Sequence, residues 1–93
     1  MIATTSVLDL ALELTPQVSV RPERFGALLY HFGTRRLSFL KDPRLLRVVQ
    51  LLSEAPTARA ACAEAGVEDS SMRSFEAALD RLLRTGMIQE RPA

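Results

Sequence analysis

From Leu8 to Leu14 the chain runs Leu-Asp-Leu-Ala-Leu-Glu-Leu, apolar at every second position. That is the strand period, although Leu8, Ala11 and Leu12 would also share one face of a helix. Pro16 interrupts the segment, and Val18-Ser19-Val20-Arg21 then alternates until Pro22. Gly26 to Phe32 and Arg35 to Leu40 are two short apolar runs joined by Gly33-Thr34. Glycine at the first central position predicts a hairpin closed by a two-residue type II′ turn.

The turn fixes a register. With Gly33-Thr34 as the loop, Tyr30 stands opposite Leu37 and Leu28 opposite Phe39. Side chains alternate across a strand, so one face carries Leu28, Tyr30, Phe32, Leu37 and Phe39, and the other carries Leu29, His31, Arg36, Ser38 and Leu40. Counting apolar side chains assigns the first face to the core and the second, mixed face to solvent.

Three helices are expected next. Asp42 followed by Pro43 is a favoured helix start, and Leu45, Val48, Val49 and Leu52 line one face until Ala55-Pro56. Thr57 caps an alanine-rich helix with Ala58, Ala61, Cys62 and Ala65 inward and Gly66 at its end. Ser70 or Ser71 caps the third, whose stripe is Met72, Phe75, Leu79, Leu82 and Leu83. Gly86 closes it, with Leu82 and Met87 placed for a Schellman ending, and Met87-Ile88-Gln89 is suited to a last short strand. Strands followed by helices give an α+β class. Residues 1–13 read as an N-terminal arm or strand and 14–90 as the domain proper.

A length of 93 residues allows a single small domain, and 47% hydrophobic with 25% charged residues excludes a disordered tail. Neither a basic, uninterrupted signal sequence nor a stretch long enough to span a bilayer is present, so the expected location is the cytoplasm, away from membranes. Candidate chemistry is sparse. His31, the single histidine, has no Ser, Cys or Asp arranged around it and reads as a surface residue. Cys62, the single cysteine, sits among alanines and reads as an inert core thiol. Arg73, Glu76, Asp80 and Arg84 follow helical spacing and read as a surface ion-pair ladder. No phosphate loop and no metal-ligand cluster is present, and an enzyme is not expected.

Charge adds more through its distribution than its sum. The net charge is +1, but residues 21–59 hold eight bases against three acids, while 1–20 and 60–93 each carry −2. The basic zone therefore falls on the hairpin and first helix. A hairpin at one side of a small sheet leaves an open edge, here expected on 35–40, with Arg35, Arg36 and Lys41 bracketing it. Such an edge suits an incoming acidic strand, the β-augmentation mode of peptide recognition.

Three blocks carry a family resemblance: Val18-Ser19-Val20-Arg21-Pro22-Glu23, Phe25-Gly26-Ala27-Leu28-Leu29-Tyr30, and Gly33-Thr34-Arg35-Arg36-Leu37-Ser38-Phe39-Leu40-Lys41. They resemble the mycofactocin-system peptide chaperones from about residue 14 to 45. More loosely, through Ile88, the chain is similar to the pyrroloquinoline-quinone peptide chaperones. The resemblance implies a precursor-peptide recognition domain, a three-stranded antiparallel sheet packed on three helices in a winged-helix-like arrangement. It implies no cofactor for this chain. It further implies that the leader of a ribosomally made peptide adds as a strand beside the hairpin's second strand and is presented to a radical S-adenosylmethionine maturase, which holds the iron–sulfur clusters.

Carried onto this sequence, the resemblance makes Arg35, Arg36, Leu37, Ser38, Phe39 and Leu40 the docking strand. Phe75, Leu79, Leu82 and Leu83 become the groove wall on the third helix, with Arg36, Ser38, Arg73 and Arg84 as polar contacts. The rival is a winged-helix nucleic-acid binder, built from the same ingredients. A reading helix would carry an excess of bases outward, whereas Arg73, Arg81 and Arg84 face Glu76 and Asp80, so nucleic acid is not the expected partner. The acidic Leu8-to-Leu14 segment reads first as part of the sheet or a loose arm, with occupancy of the open edge when no peptide is bound as the lesser alternative.

Overall fold

The computed structural model describes residues 5–92. The strands divide into two antiparallel sheets. β2 (Val18–Glu23), β3 (Gly26–His31) and β4 (Leu37–Leu40) form a three-stranded sheet in that order, and β1 (Leu12–Leu14) pairs with β5 (Ile88–Glu90). Between β4 and β5 lie α1 (Pro43–Leu51), α2 (Ala58–Glu64) and α3 (Asp69–Arg84). The class is α+β, with the three-stranded antiparallel sheet and three helices the sequence implied.

The alternating Leu8-to-Leu14 run resolves into a 3-10 turn over Val7–Asp9 and then the short β1. Ser6 starts the turn, its hydroxyl accepting from the Leu8 N–H, and Val7, Leu8 and Leu12 enter the core. Residues 1–4 of the expected arm lie outside the described residues. Because β1 pairs with β5, with Leu14 opposite Ile88, this segment does not occupy the β4 edge. The segment is instead part of a sheet, the leading expectation for it, and burial of Leu8 and Leu12 fixes it in the core.

Helix ends follow the chemistry of their caps. Asp42 accepts from the Arg44 N–H at 2.8 Å with Pro43 in the first turn, and Thr57 accepts from the Ala60 N–H at 3.2 Å. α3 starts earlier than the serines suggest. Glu68 is its N-cap without a side-chain bond to the backbone, and Ser70 donates its hydroxyl to the Glu68 carboxylate at 3.4 Å. Two acids at this end, Glu68 and Asp69, suit the positive pole of the helix. At the other end Gly86 adopts φ 80° and Met87 N–H donates to Leu82 C=O at 2.9 Å, the expected Schellman ending. Thr15 then donates its hydroxyl to Gly86 C=O at 2.7 Å, tying this corner to β1. Leu12, Leu29, Leu40, Val48, Leu52, Leu79, Met87 and Ile88 are fully enclosed where the layers meet.

The hairpin keeps the expected register, Tyr30 opposite Leu37 and Leu28 opposite Phe39, but its faces are inverted. Ala27, Leu29, His31 and Leu40 are buried against the helices, whereas Phe32, Leu37 and Phe39 are exposed. Two facts explain this. Ala27 and the aliphatic Leu29 and Leu40 let helices lie close on the sheet. The histidine on that face has its polar demand met locally, its Nδ1 accepting from the Gly33 N–H at 3.0 Å and the Thr34 N–H at 3.1 Å. His31 is thus a buried turn-organising residue, not a surface one. Arg36, at the end of the same face, projects into solvent.

The turn also differs from type II′. Residues 32–35 loop out, Arg35 N–H donates to His31 C=O at 2.7 Å, and the positive φ (61°) belongs to Arg35 rather than Gly33. Gly33 is required for space instead. A Cβ there would lie 2.7 Å from Gln17 Oε1 and 2.9 Å from His31 Cε1.

Candidate functional site

The two free edges of the three-stranded sheet are not equivalent. His31 N–H donates to Arg36 C=O and Phe32 N–H donates to Gln17 C=O, both at 2.9 Å. Antiparallel hydrogen bonding alternates along a strand. These bonds therefore turn the N–H and C=O of Ser38 and Leu40 toward β3, and those of Leu37 and Phe39 outward. On β2 the outward residues are Val18, Val20 and Pro22. Val18 N–H is already used by Thr15 C=O at 2.9 Å, and Pro22 has no N–H to give. Proline blunts an edge in this way. β2 therefore keeps a single outward N–H, that of Val20, whereas β4 offers two in succession, those of Leu37 and Phe39.

Beside that edge lies a groove of about 170 Å³, walled by Ser38, Phe39 and Leu40 on the β4 side and by Ala78, Arg81 and Leu82 of α3 with its C-cap Thr85. Leu45 forms part of its floor, and through Leu45 and Ala78 it continues into a second hollow of about 150 Å³ bounded by Asp42, Ser74 and Phe75. At that end Arg44 lies over the Phe75 ring, 5.2 Å from its centroid, and bridges Asp42 at 3.2 Å and Glu68 at 3.4 Å. The hydrogen bond from the Arg44 side chain, then that from its backbone N–H, holds the Asp42 carboxyl below its ordinary value.

Of the residues assigned to peptide contact by sequence, Ser38, Phe39, Leu40, Phe75 and Leu82 line this continuous groove. Leu37 and Arg36 lie exposed on the same hairpin strand, with Arg35 in the turn before it. The others point elsewhere. Leu79 is wholly buried, Leu83 borders a different hollow with Thr15 and His31, and Arg73 lines one with Ser6 and Glu76. Arg84 pairs with Asp80 at 3.3 Å. Glu76 accepts from the Ser6 hydroxyl, so just the Asp80–Arg84 half of the expected ladder forms.

Sequence reasoning missed Ser74, Ala78, Arg81 and Thr85, which follow one another by a turn of α3 along the groove. A signal was available. These small and polar residues form a stripe beside Phe75 and Leu82 that is neither apolar enough for a core nor charged enough for a freely solvated face.

The groove contains no catalytic constellation. Cys62 is buried in α2, where burial pushes its thiol up against a smaller opposing influence from Arg59. Among the described residues, no three His, Cys, Asp or Glu side chains converge as a metal centre requires. No described helix is long and apolar enough to cross a membrane. The arrangement can hold an extended chain: unspent backbone groups on β4, a shallow floor beneath, and cationic side chains close by.

Residues 11–89 match the family model of the peptide chaperone MftB family. The peptide chaperone MftB of Mycobacterium tuberculosis is 52% identical over 83 residues, covering 89% of this chain and 76% of that protein. The chain belongs to the peptide chaperone MftB family. Within the family, the corresponding chaperone of Mycobacterium ulcerans is 51% identical over 86% of this chain and 73% of its own length, and that of Mycolicibacterium smegmatis 49% identical over 86% and 78%. The family span encloses β4, α3 and the whole groove. No solved structure matches the chain.

Proposed function

We propose that this chaperone binds the leader of a ribosomally synthesised precursor peptide as an added strand on β4 and delivers it to a radical S-adenosylmethionine maturase in mycofactocin biosynthesis. The observation that carries this reading is the coincidence of an unspent β edge with a groove along α3. Leu37 and Phe39 each offer one N–H and one C=O to the incoming strand. Every such bond contributes about 0.5–1.5 kcal/mol net. Alternate leader side chains then drop into the groove over Ala78 and Arg81, between Ser38 and Leu40 on one side and Leu82 and Thr85 on the other. Arg81 inside the groove, with Arg35, Arg36 and Lys41 along the edge, favours an acidic leader. The chaperone supplies no chemistry of its own, since the reaction belongs to the maturase.

Titrating unlabelled leader peptide into ¹⁵N-labelled protein tests the reading. Amide shifts are expected at 37–41 and at Ser74, Ala78, Arg81 and Thr85, while α2 stays still. An unchanged spectrum at about 100 μM leader would refute it, because an adaptor of use to an enzyme binds more tightly than that.

A further inference from the structure

The inverted hairpin leaves the outer face of the three-stranded sheet uncovered. Phe25, Phe32, Leu37 and Phe39 are 51%, 60%, 57% and 59% exposed, and Leu28 and Tyr30 are half-buried among them. The rings are mutually packed. Phe25 and Phe39 have centroids 6.3 Å apart, and Tyr30 and Phe32 meet edge-on at 5.3 Å. With each exposed ring contributing on the order of 100 Å², this apolar area reaches the size that marks an interaction surface on a small protein.

A leader strand on β4 does not cover it. An added strand lies beside Leu37 and Phe39, whereas Tyr30, Leu28 and Phe32 belong to β3 or the turn beyond it. The surroundings of the patch indicate what does. Arg21 stands on the same face opposite Leu28, Arg24 and Lys41 flank the Phe25 end, and Arg35 flanks the Phe32 end. Among the described residues none of these four cations is in an ion pair, and Glu23 is the one acid on the face. A second copy docked face to face would set this cationic rim against itself. A partner with an apolar centre and a rim of carboxylates would be complementary in both respects.

We infer that the outer face of β2-β3-β4 is a docking surface for a folded protein bearing an apolar patch edged with Asp and Glu, and that this partner is the enzyme that receives the peptide. The last clause rests on the proposed leader-delivery function. Its structural basis is continuity: β4 borders both the groove and the outer face, so a protein seated on this face touches a strand docked at the edge. Peptide and enzyme thus meet along β4, sharing Phe39, Arg35 and Lys41, while Arg21, Leu28, Tyr30 and Phe32 belong to the outer face alone.

The test measures two affinities on the same variants, with synthetic leader and with purified radical S-adenosylmethionine maturase as the probes. Phe32→Ser and Arg21→Glu alter exposed side chains outside the groove. Both are expected to keep the wild-type unfolding midpoint and leader affinity within twofold while weakening maturase binding at least tenfold. Maturase affinity unchanged in both variants overturns the inference, as does a wild-type chaperone with no maturase affinity at all. A wild-type homodimer that Phe32→Ser dissolves also overturns it, because the face would then belong to a second copy. Maturase binding that depends on Phe32 in a protein with no affinity for leader supports this surface while refuting the leader-delivery reading.

Discussion

Proline substitution at adjacent positions of β4 separates the fold from the proposed function. Ser38 N–H points into the ladder toward Leu29, and Phe39 N–H points out from the free edge. Ser38→Pro removes a ladder bond and leaves the Leu29 C=O without its donor, a loss of about 1–3 kcal/mol before any strain of the strand is added. Phe39→Pro removes a donor with no partner in the free protein and is tolerated as edge prolines are. When leader binds, the same substitution leaves a leader carbonyl without its donor, at a cost of about 1–3 kcal/mol. That corresponds to roughly 5- to 150-fold weaker binding. Phe39→Ala controls for loss of the ring against Phe25. Calorimetric titration with leader, alongside thermal unfolding of each variant, reads both effects. Leader affinity equal in Phe39→Pro and Phe39→Ala would refute strand addition at this edge.

Three further outcomes follow from the geometry. Ala78→Trp fills the groove floor and Arg81→Glu reverses its charge; both should weaken leader binding at least tenfold, with Arg81→Glu also flattening the salt dependence, as fluorescence polarisation across ionic strengths would show. A Cβ on Gly26 would stand 1.7 Å from Leu40 C=O, so Gly26→Ala should prevent β3 and β4 from closing and abolish cooperative unfolding, whereas Gly66→Ala, which meets open space at φ 85°, should cost about 1–2 kcal/mol. Asp42→Ala should cost about 1 kcal/mol through loss of the α1 cap. The Asp42 carboxyl is held below its ordinary 3.8, so its contribution is complete at neutral pH and fades as pH falls through that lowered value; the gap in unfolding midpoint between wild type and Asp42→Ala should therefore narrow below about pH 4.

Local chemistry was legible in the sequence. The Asp42-Pro43 start, the Thr57 cap, the Gly86 ending and the Tyr30–Leu37 register each depend on a few neighbouring residues, and each is present. The face of the hairpin was not legible, because counting apolar side chains assumes that the richer face is buried. Ala27 permits close helix packing and the Gly33 and Thr34 amides satisfy His31, neither of which a hydropathy count records. The same limit applies at α3. Phe75 and Leu82 stood out by periodicity, but Ala78, Arg81 and Thr85 became groove residues only once β4 was placed beside them. Arg84, equally basic in sequence, is engaged by Asp80 instead.

Hydrogen exchange at single-residue resolution, with and without leader, tests strand addition most directly. In the free protein the Leu37 and Phe39 amides should exchange fast and the Leu40 amide slowly, since their N–H groups alternate between the open edge and β3. Saturating leader should slow Leu37 and Phe39 by at least tenfold and leave Val20, on the β2 edge, unchanged. Leu37 and Phe39 amides that exchange equally fast in the complex, or protection that appears at Val20 instead, would contradict the account.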